Sequence, residues 1–259
     1  MNTQRFDILG CALAGYRSVF AERRYLLSAA LMPVGLTVFI EILKIYGIQK
    51  PSIMSEMLTM LPVGIAAAWF MFLQTRLMVF GERPENIAPE NIMPRRRAFE
   101  ASALLWLLLQ MAGLGMLAFM MYWSREMQSG SPAAFVNIAG FMIIGASFWG
   151  LRLLVVHILG AIGYSIRGYI FKVNGVMVSV RMFALLMIVL LPVAIAAGPV
   201  EESLITALKA ESAPALQIAG LTVLRVILNF MLLAFFNAAA VFALRQMLGQ
   251  GKPQRGIPA

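Results

Sequence analysis

The sequence predicts an all-α polytopic membrane protein of six transmembrane helices with an N-terminal interfacial amphipathic helix. Three observations carry that reading. Of 259 residues, 61% are hydrophobic and 13% charged, against about 25% charge in a soluble domain. Six apolar stretches reach the roughly 20 residues that a helix needs to cross a bilayer core of about 30 Å. The basic residues gather on one side of those stretches, as short cytoplasmic loops do.

Residues 1–24 form a cytoplasmic interfacial helix in this reading. Leu9, Leu13, Tyr16 and Phe20 share one face while Arg17 and Arg24 fall elsewhere, the pattern of a helix lying in the membrane plane. It serves as a foot for the first span, with lipid sensing or partner docking as the functional alternative. Cys11 reads as a small buried residue rather than a palmitoylation site. Arg5, Asp7, Arg17, Glu22, Arg23 and Arg24 interrupt any apolar run before Tyr25, so no cleavable signal is expected.

Residues 25–248 form the membrane domain. The first span, about 25–46, contains Pro33, Glu41 and Lys44, and the proline is tolerated where neighbours satisfy the freed carbonyl. A partly apolar linker leads to the second span, about 60–81. Pro62 occupies its first turn, where no helical donor is lost, and Arg76 lies near its inner end. Residues 82–97 carry three prolines and the cluster Arg95, Arg96 and Arg97, so they connect two spans. The third span, about 98–123, carries Ala112, Gly113 and Gly115, which admit a neighbouring helix closely, and ends in the interfacial pair Tyr122 and Trp123. The fourth, about 134–163, is long and therefore tilted or protruding. Residues 164–180 form a second interfacial segment with a turn at Asn174 and Gly175. The fifth span, about 181–199, is followed by an acidic outer loop at 199–214, and the sixth covers about 216–248. Residues 249–259 are a disordered cytoplasmic tail.

The charges orient this frame. Fourteen of the 21 Lys and Arg residues, including Arg23, Arg24, Arg95, Arg96 and Arg97, fall on the side taken as cytoplasmic. Four fall on the other side, and Arg76, Arg152 and Arg225 lie within spans. That bias places both termini inside. The net charge of +9 reads as topology and attraction to anionic headgroups rather than nucleic-acid binding. One cysteine and one histidine exclude an internal disulfide and the familiar zinc or thiol-redox sites. The sequence holds no HExxH, no phosphate-binding Gly-rich loop and no Ser–His set with an acid at recognisable spacing, so no enzyme, metal or cofactor is expected. The repeated patterns at Met32–Leu36, Leu61–Ile65 and Leu191–Ile195 lack the three-plus-three offset of an inverted-repeat transporter.

Ionisable groups within spans are candidate sites because stranding them costs several kcal/mol. Glu41 and Arg225 lie at similar depth in the outer half and are expected to pair. Arg152, with Trp149 three residues earlier and His157 beyond it, is a candidate contact for a lipid phosphate or anionic solute. Gln110, Asn229 and Asn237 either line a polar path or hydrogen-bond between helices.

The basic foot Gly15-Tyr16-Arg17-Ser18-Val19-Phe20, the run Leu151-Arg152-Leu153-Leu154 before an interfacial stretch, and the long last span together resemble uncharacterised six-span bacterial inner-membrane families. They are similar in layout to the membrane domain of glycerophosphodiester phosphodiesterases. The resemblance implies a bacterial inner membrane and no particular chemistry. Two functions are consistent with the sequence. One is a membrane-embedded interaction or scaffold protein, with a membrane-protein partner or a second copy. The other is a carrier or passage for a small anionic or lipid-like solute using Arg152 and Arg225.

Overall fold

The computed structural model describes residues 6–47, 53–128, 134–173, 175–210 and 214–249. Its helices are α1 (Ile8–Ala21), α2 (Arg23–Gly47), α3 (Ile53–Phe80), α4 (Ile92–Gln128), α5 (Ala134–Gly150), α6 (Val156–Ile162), α7 (Ile166–Lys172), α8 (Val176–Lys209) and α9 (Ala215–Met247). A 3-10 stretch, Leu151–Val155, joins α5 to α6. Six helical segments are long and apolar enough to cross a membrane, with α1 as a shorter apolar helix. The protein is therefore an all-α polytopic membrane protein.

α9 is the axis of the bundle and packs against α1, α8, α3 and α2. Every residue from Ala234 to Val241 is buried, as happens when a helix is apolar all round and covered on all sides. Ala238, Ala239 and Ala240 make that possible because short side chains let neighbouring backbones approach. A Cβ on Gly15 would lie 2.8 Å from the Ala239 nitrogen, so α1 and α9 touch backbone to backbone at a position only glycine fits.

That contact holds α1 against the bundle. Its buried face is Cys11, Ala12 and Gly15, while Leu9, Leu13 and Phe20 are exposed. Leu9 and Leu13 thus point away from the protein, the small residues make the joint, and the Phe20 ring lies 5.7 Å from that of Phe235. Tyr16 completes it, its ring 4.5 Å from Phe235 and its hydroxyl donating to the Val189 carbonyl at 2.9 Å. α1 is fastened to the bundle by α9 and by α8.

Several boundaries differ from the expectation. α3 begins at Ile53, so the expected linker is partly helical and Pro62 lies inside the helix instead of in its first turn. α4 begins at Ile92, which brings Arg95, Arg96 and Arg97 into its first turns, with Arg96 Nε 2.9 Å from Glu100 Oε1 one turn on. The rest of the connector holds two 3-10 turns, Pro84–Asn86 and Pro89–Asn91. The fourth span is interrupted at Leu151–Val155. α8 runs through Pro199 to Lys209, because Leu204 and Ala207 continue an apolar stripe that packs on Ile218. The acidic loop is therefore mostly helix. The expected tail falls outside the described residues beyond Gly249.

Candidate functional site

The most buried polar cluster surrounds Asn237 on α9. Its Nδ2 faces three acceptors on α3: the Met71 carbonyl at 3.2 Å, Gln74 Oε1 at 3.0 Å and Thr75 Oγ1 at 3.2 Å. Gln74 Nε2 returns the contact to the Ala234 carbonyl at 2.7 Å, so α3 and α9 clasp each other by reciprocal side chain to backbone bonds. Asn237 Oδ1 then lies 3.1 Å from His157 Nε2 on α6. With Nδ2 fixed by acceptors, Oδ1 must accept, so His157 carries its proton on Nε2, an assignment made from the network. The imidazole is 1% exposed and meets Trp106 of α4 edge-on at 5.3 Å. Its Nδ1 makes no hydrogen bond among the described residues. The Leu154 carbonyl, three residues back, lies beside the ring.

A second cluster forms at the break in the fourth span. The Arg152 guanidinium lies 3.7 Å from the Trp149 ring centroid, with Nη1 3.5 Å from the Val173 carbonyl. Tyr169 of α7 donates to the Arg152 carbonyl at 2.8 Å, and Ser179 of α8 donates to the Trp149 carbonyl at 3.1 Å. These bonds satisfy backbone groups that a 3-10 stretch leaves outside a regular helical ladder. Burial pushes the Tyr169 phenol above its usual range, partly offset by the Arg152 charge, so Tyr169 stays a donor at physiological pH.

The third cluster is charged. Arg225 Nη2 lies 2.5 Å from Glu41 Oε2 and Nη1 lies 3.7 Å from Glu201 Oε1, while Lys44 Nζ is 3.8 Å from Glu41 Oε1. The fourth was not anticipated. Arg76 forms a two-point ion pair with Glu82, donates to the Ala161 carbonyl at 3.2 Å and lies over Phe80 at 4.3 Å. Gly81, at φ 69°, ends α3 and turns the chain so that Glu82 comes back to Arg76; that conformation suits glycine.

The structure thus brings Glu41 to Arg225 and Arg152 to Trp149. It does not join His157 to that second pair, because His157 belongs with Asn237. Gln110 sits against Gly64 of α3, where a Cβ would come within 2.5 Å of its Oε1. Asn229 is exposed and does not share a lining with Gln110 and Asn237. Gln74, Thr75 and Trp106 were missed, although an adjacent Gln and Thr inside an apolar run was a readable sign. Among the described residues no three His, Cys, Asp or Glu side chains are placed to hold a metal ion. No known family model, curated protein or solved structure matches the chain.

Proposed function

We propose that this polytopic protein is a membrane-embedded interaction or scaffold protein that engages another membrane helix through α4. One observation carries the proposal: residues 111–116 of α4 are exposed on every face of the helix. This turn and a half includes Ala112, Gly113 and Gly115. A Cβ added at Gly113 or Gly115 would meet nothing within 4 Å. The most apolar window of α4 has no buried share, against 61% for α3 and α9. In lipid, helices associate by close van der Waals packing, and small residues supply the closest approach. The exposed 111–116 stretch of this span has that surface available to a partner.

Passage of an anionic or lipid-like solute is less well supported, because both arginines that would conduct it have internal partners. Arg225 is held by Glu41 and Glu201, and Arg152 lies over Trp149, 3% exposed. In liposomes, the parent protein and its Arg152→Leu and Arg225→Leu variants alike should leave the flux of small organic anions at the level of protein-free vesicles. Flux that the parent protein supports and these variants lose would overturn the scaffold reading.

The charge distribution supports a bacterial inner-membrane location, both termini cytoplasmic and anionic headgroups at that face. The resemblance to six-span families belongs to the same proposal. In a Cys11→Ser background, Asn91→Cys should then resist an impermeant thiol reagent added outside intact cells; labelling there would invert the orientation.

A further inference from the structure

α1 and α2 form one bent rod. Only Glu22 separates them, and the helical ladder runs on through it: the Glu22 N–H donates to the Ser18 carbonyl and the Leu26 N–H to the Glu22 carbonyl, both at 3.0 Å. The Asp7 N–H donates to Gln246, a Cβ on Gly15 would meet Ala239, and Tyr16 packs on Phe235. α1 therefore runs antiparallel to the last third of α9. The Arg181 bond to the Phe6 carbonyl and the Tyr16 bond to Val189 set it along α8 in the same way. Leu13, Phe20, Leu27 and Leu31 of the rod are exposed, and their spacing of seven, seven and four keeps them on one face.

Two cations share that face. Arg17 and Arg24 each follow an exposed apolar residue by one turn and are themselves exposed, and neither makes a hydrogen bond or ion pair among the described residues. The acids of this segment are engaged elsewhere: Glu22 pairs with Arg83, and the Asp7 carboxylate lies against Gly10. A helical side chain points back toward the N-terminus, so Arg17 reaches over the small residues before it. Gly10, Leu13, Ala14, Arg17, Ser18 and Ala21 together line one open groove. An unpaired guanidinium beside acyl chains is costly unless an anion meets it. A soluble anion offers nothing to Leu13, Phe20, Leu27 and Leu31, whereas a phospholipid supplies both a phosphate and acyl chains. We propose that this face binds an anionic phospholipid, its phosphate in the groove beside Arg17 and its acyl chains along Phe20, Leu27 and Leu31. Arg24, two turns on, adds to the positive field at the headgroup. A zwitterionic lipid brings the same chains, but its ammonium offsets its phosphate. The site rests on the anionic-headgroup contact proposed above and gives it a place.

The experiment is native mass spectrometry of detergent-solubilised protein titrated with dioleoyl-phosphatidylglycerol or dioleoyl-phosphatidylcholine. The parent should retain phosphatidylglycerol in preference. Arg17→Gln with Arg24→Gln should weaken that retention about 30-fold, at roughly fivefold for each guanidinium. Arg17→Lys with Arg24→Lys should keep most of it, and Arg96→Gln with Arg97→Gln, at two other exposed arginines, should leave it unchanged. A phosphatidylglycerol with a diazirine in one acyl chain should crosslink within residues 20–31, and excess glycerol 3-phosphate should not displace it. Equal retention of the two lipids by the parent would overturn the headgroup contact altogether. A preference for phosphatidylglycerol that survives Arg17→Gln with Arg24→Gln, or that falls equally with the Arg96 and Arg97 pair, would overturn this site alone. Displacement by glycerol 3-phosphate would make the ligand a soluble phosphate and overturn the lipid. Every variant changes an exposed side chain and is compared at the parent's elution volume. Detergent imposes no sidedness, so these outcomes depend neither on the orientation of the termini nor on a partner at α4.

Discussion

Removing Glu41 or Arg225 alone should destabilise the bundle, and removing both should restore part of the loss. The magnitude follows from exposure. Surface ion pairs contribute about 0–1 kcal/mol, whereas breaking a buried pair costs about 3–5 kcal/mol because one charge is stranded. The Glu41 and Arg225 side chains are 22% and 26% exposed, which places their coupling between these limits, at about 1–3 kcal/mol. The neighbours make the single losses unequal. After Glu41→Gln, Arg225 still has Glu201, whose side chain is 48% exposed. After Arg225→Leu, Glu41 retains Lys44 at 3.8 Å, a contact within α2 that does not tie α2 to α9. Arg225→Leu should therefore cost more than Glu41→Gln. The assay is reversible unfolding in mixed micelles for the parent, both single variants and the double variant. Arg96 and Glu100, 70% and 57% exposed, serve as the control pair, with coupling of about 0.3–0.5 kcal/mol. Losses at Glu41 and Arg225 that add to within about 0.5 kcal/mol would refute the reasoning.

Two further predictions test the interior. Asn237→Leu strands His157 Nε2 and removes the donor shared by three acceptors on α3, so it should cost about 2–4 kcal/mol by the penalty for unmade buried bonds; a loss below about 0.5 kcal/mol in the same unfolding assay would show the clasp to be incidental. Burial, and secondarily Asp7, pushes the Cys11 thiol up to about 12 from 9.0, so maleimide at neutral pH should label it only after unfolding. The raised value favours the neutral thiol in the folded state, so this contribution is complete below pH 9.0 and is lost as pH rises toward about 12. Cys11→Ala should remove that alkaline loss, and an unchanged pH profile would contradict it.

What the sequence made legible was depth and residue type; what it hid was rotation. Hydropathy located the six spans because the bilayer sets their length. Glu41 and Arg225 were matched because each could be placed along its helix by counting residues. Asn229 and Asn237 looked like partners, yet eight residues at 3.6 per turn separate them by about 80°, and only Asn237 faces α3. Arg152 and His157 are five residues apart, about 140° around a regular helix, and they enter different clusters. The interruption at Leu151–Val155 is apolar apart from Arg152, so neither periodicity nor mean hydropathy marked it. Pro199 looked like a stop because proline removes one helical bond, but the Leu204 and Ala207 stripe carries α8 past it. In α1 the large apolar residues dominated the pattern, whereas packing chose the small ones.

The claim that α4 presents a partner surface is tested most directly by photocrosslinking in intact membranes. A benzophenone amino acid at Leu114, on the exposed stretch of α4, is compared with one at Leu31, an exposed position of α2. The account predicts one discrete, saturable protein adduct from Leu114, either a second copy of this chain or one other membrane protein, which Gly113→Leu with Gly115→Leu abolishes while Leu31 gives only lipid adducts. Lipid adducts alone at both positions, from protein that is folded and fully inserted, would contradict it.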